Sequence, residues 1–465
     1  MAQSEIMQTT SNKAKASASK SVLFIGFVWP ELTATAASQN ILSYVRTFLK
    51  YDYTVHFASA AQTSELSTSL AHDNVQCHAV TLNDDSFDEL VKKLMPSMVI
   101  FDRFLTEEQF GWRVMRAAPD ALRVLDCEDL HFLRHARHEH YKALGYQATS
   151  PEYLVPEAVL QQNMASTLHS DVCLREIACI HRCDVVLLLS KFEAQVLEST
   201  FFVEKTKILH IPYLIDNELG KKLRSNDEQP ANEALGLRNS QQDIPECIPE
   251  RKHFVSIGNF RHAPNIDAVN ILVQQLWPSI RKALPEAECH VYGAYMPPRI
   301  KAYERPSIGL FMHGHVDDHF SALTSAKVLL APIQFGAGVK GKLIDAFRCG
   351  LPSVTTPIGA EGIEHEHWPG AIVVGKQAFI QSAIALYTAN SSEYQHHQAT
   401  MQNLLKTHFN TSMNEQVLIN RLEYALAQIE SLRQDNFLQK LVSHHSLKTH
   451  QYMSQWIAAK NKNRE

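Results

Sequence analysis

The chain has 465 residues and a formal charge of -5, with 45% hydrophobic and 20% charged residues. That length carries more than one full hydrophobic core, and the mildly acidic balance excludes the broadly basic surface of a nucleic-acid binder. No apolar run reaches about 18 residues, which excludes a transmembrane helix; eight Cys without a CxxC pair read as reduced thiols.

Residues 1–20 are Ser-, Ala- and Lys-rich, lack a signal-peptide core and are expected to be disordered. Ser21–Gly26 is an apolar run ending in Gly, as a buried parallel strand requires. Ile41, Leu42, Val45, Phe48 and Leu49 recur at helical spacing, and Tyr53–Phe57 returns to strand. Met98–Phe101, Arg123–Leu125, Val185–Leu189 and Lys207–Ile211 continue the alternation, which predicts a parallel sheet covered on both faces over residues 21–216. Cys179, His181 and Cys183 miss the common zinc spacings and read as a helix running into a strand. Residues 217–250 are polar and aperiodic and read as a linker or insertion.

The alternation restarts at His253–Gly258. Strands are predicted at Cys289–Gly293, Gly309–Met312, Lys327–Ala331, Ser353–Thr355 and Ala371–Val374, giving a second doubly wound unit over residues 251–410. A tail, 411–465, is helical in pattern and long enough to pack back on the first unit. Two such units place a cleft at the C-terminal ends of both sheets.

The most informative stretch is Ala331-Pro332-Ile333-Gln334-Phe335-Gly336-Ala337-Gly338-Val339-Lys340-Gly341-Lys342-Leu343-Ile344-Asp345, running strand, Gly-rich loop, helix. Its chemistry suits a nucleoside diphosphate. Glycines let the backbone approach phosphate, loop amides and a helix N-terminus favour anions, and Lys340 and Lys342 add positive charge. Asp345, about one helical turn in, is placed to accept ribose hydroxyls.

This stretch resembles the donor site of the retaining glycosyltransferase family 4, of the GT-B fold. The resemblance implies an α/β protein of two Rossmann-like domains and an N-terminal acceptor domain. It also implies transfer of a sugar from a UDP- or GDP-sugar co-substrate to a glycan, lipid-linked or protein hydroxyl. Many members carry Glu-x7-Glu here. In this chain the second acid falls on Asp345 and the first on Ala337, so the first acid's contact with the donor sugar is missing or supplied elsewhere. Gly258-Asn259-Phe260-Arg261 matches a loop that offers the diphosphate a basic residue, making Gly258 and Arg261 donor-side candidates; Ile266 stands where relatives often have Lys. Gly336, Gly338, Val339, Lys340, Lys342, Asp345 and Glu361 complete the donor set.

In the first half, the loop Phe27–Ser38 lacks the paired glycines of relatives. Asp102 and Arg103 end one strand; Asp126, Glu128, Asp129 and His131 follow the next. Relatives place a His or an acid from such loops near the reacting sugar, which nominates His131 and Asp126 as catalytic and Asp102, Arg103 and Glu128 as acceptor-side. Asp129 is expected to cap the following helix. Arg134, His135, Arg137, His138 and His140 read as a solvated basic face, with an anionic acceptor or membrane headgroups as the alternative. Arg175-Glu176 and Lys191/Glu193 read as surface or salt-bridge residues. No catalytic metal and no cofactor are expected. The expected location is the cytoplasm, with membrane contact peripheral. A GT-B-fold epimerase and a non-catalytic nucleotide-sugar-binding scaffold remain alternatives.

Overall fold

The computed structural model describes residues 20–31, 36–64, 67, 70, 74–143, 170–215, 251–363 and 367–462. The expected disordered segment before Lys20 and the expected linker at 217–250 lie outside them.

The first sheet holds seven parallel strands: β1 (Ser21–Gly26), β2 (Thr54–Ser59), β3 (Gln76–Ala79), β4 (Met98–Asp102), β5 (Leu122–Asp126), β6 (Val185–Leu188) and β7 (Ile208–His210). Their spatial order is β3-β2-β1-β4-β5-β6-β7. Side chains alternate across a strand, so Val22 and Phe24 enter one core and Leu23 and Ile25 the other. Burial on both faces explains why β1 reads as a continuous apolar run. β3 escaped the sequence reading because it is an edge strand with mostly exposed residues and no apolar run.

The second sheet holds six: β8 (Lys252–Ile257), β9 (Cys289–Tyr292), β10 (Leu310–Gly314), β11 (Ala326–Ala331), β12 (Ser353–Thr355) and β13 (Gly370–Ile372), in the order β10-β9-β8-β11-β12-β13. Here too each face carries its own core.

The C-terminal helices return to the first sheet. Leu418, Ile419, Leu422 and Ala425 of the helix Thr411–Ala427 are buried in the same core as Val22 and Phe24. Polar ties reinforce the crossing. Tyr53 Oη donates to Glu423 at 3.0 Å, and Arg433 reaches Asp184 at 2.7 Å.

Candidate functional site

In each sheet the strand order reverses beside the first strand, between β1 and β4 and between β8 and β11. Loops diverge at such a point and leave a crevice at the C-terminal strand ends. The two crevices face each other and form one cavity of about 470 Å³. Five cations line it (Arg103, Arg134, Arg261, Lys340 and Lys342) against four acids (Glu31, Glu128, Asp129 and Asp345). The Phe27 N–H donates to Asp102 Oδ2 at 3.0 Å, pinning the two loops that flank the first crevice.

Gly258, Arg261, Gly336, Gly338, Val339, Lys340, Lys342 and Asp345 all line the cavity. Lys340 Nζ donates to the Gly338 carbonyl at 2.7 Å, and Lys342 Nζ to Asn265 Oδ1 at 2.8 Å. Burial, followed by the neighbouring Lys340 charge, brings the Lys342 ammonium down to about 7. Arg261 lies 3.5 Å over the Tyr295 ring, and that phenol donates to Glu31 at 3.0 Å. Asp345, on the helix Gly341–Arg348, faces His319 Nε2 at 3.3 Å and Arg348 Nη1 at 3.2 Å.

On the opposite wall, Arg103 and Glu128 follow adjacent strand ends, and both have left-handed backbones, φ 69 and φ 57. That conformation is costly for non-glycine residues, and here both residues line the cavity. Glu128 Oε1 accepts from Asn40 Nδ2 at 2.9 Å; burial, then the Asp126 charge, raises its carboxyl well above the ordinary range. His131 lines the cavity edge-on to Phe104, with Nε2 3.5 Å from Asp129 Oδ1. Burial, aided by Arg134 and Arg103 and opposed by Asp129, lowers its imidazole to about 4, so it is neutral at pH 7.

Several expectations are corrected. Asp126 is 1% exposed and does not line the cavity. Burial and then Asp102 raise it to about 8, which makes it a neutral group beneath Glu128. Asp102 is likewise buried behind the cavity wall, where it holds Phe27. Glu361 does not line the cavity; it forms a bidentate pair with Arg137, both bonds 2.7 Å. Asp129 pairs with Arg134 at 2.6 Å, while Glu176, buried, takes the capping role by accepting from the His131 and Phe132 N–H groups.

The solvated basic face is also revised. The helix His131–Ala143 docks on the second lobe. Arg137 reaches the Gly336 carbonyl at 2.7 Å, and His138 stacks on Phe335 with centroids 4.5 Å apart. Sequence reading missed Glu193, which is fully buried between the lobes. Its Oε1 accepts from the Leu130 N–H at 3.3 Å and from the Gly338 N–H at 2.7 Å. The Gly338 amide, expected to face phosphate, is therefore held by a carboxyl of the first lobe. Burial, then Asp129, raises Glu193 to about 8. Tyr213, His262 and His319, also unforeseen, line the cavity too; nothing in their sequence context marks them. Among the described residues, the His/Cys/Asp/Glu grouping with metal-like spacing is His253, Glu288 and His290, away from this cavity, and does not include Cys179, His181 or Cys183.

Residues 251–389, which supply the Gly-rich loop and Asp345, match the family model described as Glycosyl transferases group 1. The second lobe is therefore similar to a Glycosyl transferases group 1 domain. The chain as a whole is similar to a glycosyltransferase from Rickettsia africae, with TM-score 0.57 and 10% identity over 88% of this chain and 98% of that one. It is similar to Anabaena HepE, solved in complex with UDP-glucose, with TM-score 0.56 and 10% identity over 87% and 99%. It is also similar to sucrose-phosphate synthase from Thermosynechococcus elongatus, with TM-score 0.55 and 13% identity over 90% and 99%. A sequence search of curated proteins gives no match. The fold is GT-B: two parallel α/β lobes with a helical C-terminal region crossing back to the first. In the second lobe the Gly-rich loop and Asp345 line the cavity that His131 and Glu128 line from the first.

Proposed function

We propose that the protein transfers a sugar from a nucleoside diphosphate sugar, UDP- or GDP-linked, to an acceptor hydroxyl, with retention at the anomeric carbon. The observation that carries this reading is the gathering of Lys340, Lys342, Arg261 and Asp345 on one wall of an interlobe cavity, opposite His131, Arg103 and Glu128. The diphosphate that departs gains negative charge, and preorganised cations in a restricted cavity stabilise that charge in the transition state. Lys340, Lys342 and Arg261 supply it here without requiring a divalent metal. Asp345 accepts ribose hydroxyls. Neutral His131 faces the reacting sugar as a hydrogen-bonding group, and Glu128 orients the acceptor. Closure of the lobes keeps water from the donor. The complex of HepE with UDP-glucose supports a UDP-sugar, and the sequence resemblance of the loop to family 4 supports retention.

The test is a thermal-shift panel of UDP, GDP, ADP and their sugars, followed by transfer and hydrolysis assays. One diphosphate series should raise the melting temperature, and Asp345→Ala should weaken its binding about tenfold or more. Unchanged affinity in Asp345→Ala would sink the donor assignment. Binding without turnover would favour a scaffold, and epimer formation without acceptor an epimerase.

A further inference from the structure

The last helix, Phe437–Lys462, is amphipathic in the reverse of the usual sense. It runs along the helices Asp171–Arg182 and Arg103–Ala117 of the first lobe. The fully buried side chains on its inner side are polar, Asn436 at its start, Gln439 and Ser454, with Val442 and Ile457 half-buried. Gln439 Nε2 donates to the Arg182 carbonyl at 3.0 Å and to Asp184 Oδ1 at 2.9 Å, and Arg113 Nη2 donates to Ser454 Oγ at 3.3 Å. Its apolar side chains point to solvent. Phe437 is 75% exposed, Tyr452 65% and Trp456 63%, with Leu438, Leu441 and Met453 also exposed. Positions 437, 441, 452 and 456 fall within about 100° of one another at 100° per residue, so they form one stripe.

An outward stripe of large apolar groups needs a cover. Charge identifies it. The helix Phe437–Lys462 carries Lys440, Lys448, Lys460 and Lys462 and no Asp or Glu, in a chain whose net charge is negative. Lys440 and Lys460 are exposed on either side of the stripe and Lys448 within it, and Lys460 Nζ lies 5.0 Å over the Trp456 ring. Trp and Tyr settle at the water–hydrocarbon boundary, while lysines at the edge of an apolar face reach lipid phosphates. We infer that this helix is the surface by which the protein lies on an anionic lipid bilayer, parallel to its plane. It spans nothing, since no helix among the described residues is long and apolar enough to cross a membrane.

The experiment is co-sedimentation of the full chain with vesicles of equimolar phosphatidylglycerol and phosphatidylcholine, and with phosphatidylcholine alone. Trp456 is the exposed one of five tryptophans, so its emission reports insertion directly. Binding should favour the anionic vesicles and shift the emission to the blue. Lys440→Glu and Lys448→Glu should each weaken it about fivefold or more, and Tyr452→Ala with Trp456→Ala about tenfold or more. Because these residues are exposed, the variants should keep the wild-type melting temperature and nucleotide response. The inference is overturned if the protein ignores both vesicle types or binds them equally. It is also overturned if Trp456→Ala abolishes a lipid-free self-association, which would make a second copy of the chain the cover.

Discussion

Lys342 offers the most quantitative handle on the cleft. In the empty protein its ammonium titrates at about 7, through burial and the adjacent Lys340. A diphosphate beside it favours the charged form and returns it toward the ordinary value of about 10.4. Binding then takes up a proton wherever the empty site is neutral: about half a proton at pH 7 and nearly a whole one at pH 9. The apparent dissociation constant scales as one plus the neutral-to-charged ratio, about 2 at pH 7 and about 100 at pH 9, so affinity should fall roughly fiftyfold. Lys342 is half-buried. If water reaching it raised the empty-site value by one unit, about a tenfold fall would remain. The sign is fixed: affinity is held below pH 7 and lost as pH rises through the empty-site value. In the empty protein the same depression works oppositely on folding. The unfolded chain keeps its proton to about pH 10.4, so this residue's contribution to stability rises across the window. The assay is calorimetric titration with the preferred diphosphate from pH 7 to 9, in buffers of different ionisation enthalpy. Lys342→Arg, whose guanidinium stays charged, should flatten the profile except for what Lys340, lowered by the same burial, contributes. A wild-type change under about threefold, or an undiminished slope in Lys342→Arg, would refute the reasoning.

Two further perturbations address the contact between lobes. Arg137→Ala strands Glu361, whose side chain is 12% exposed, and frees the Gly336 carbonyl; breaking a buried pair by removing one partner costs about 3 kcal/mol or more. Its melting temperature should fall, and Arg137→Met combined with Glu361→Gln should recover part of the loss; equal melting of Arg137→Ala and wild type would contradict the latch. Gly338 has φ 67, and a Cβ there would lie 2.7 Å from Asp129 Cβ across the cleft. Gly338→Ala should therefore cost about 1–2 kcal/mol of backbone strain and hold the lobes apart, visible as a larger radius of gyration in small-angle scattering and slower turnover.

Much of this molecule could be read from the chain because its strands are buried on both faces. Val22 to Ile25 or Phe254 to Ile257 show up as short apolar runs ending near Gly, and the strand–helix alternation implies parallel sheets. The Gly-rich loop was legible because its glycines, lysines and Asp345 lie close together in sequence. What stayed hidden depends on contacts distant in sequence. Glu176 and Glu193 look like surface acids, yet each is drawn inside by amides exposed at a helix start or a loop that only the fold brings near. Arg137 looks like one more charge on a basic helix face, until Phe335 and Glu361 arrive from the other lobe. Asp126 reads as a loop acid after its strand, but it is the strand's last residue, and the chain turns at Glu128 and leaves it one layer too deep.

The same contacts give a physical reason for the small residue at 337. The Ala337 methyl packs against the apolar core of the first lobe. A carboxylate there would enter a seam that already holds Glu193 and Glu361 and borders Asp129, where like charges meet with little water between them. Glu193 already feels this crowding, since burial and Asp129 keep it protonated at pH 7. An acid on the loop would add a further carboxyl to a seam where burial and Asp129 already keep Glu193 neutral. With Ala at 337, the loop can lie flush against the first lobe, and the carboxyl that grips the Gly338 amide also grips the amide just before His131. The Gly-rich loop and the helix that carries His131 are thus joined through buried Glu193, beside the Arg137 bond to the Gly336 carbonyl and the His138–Phe335 stack.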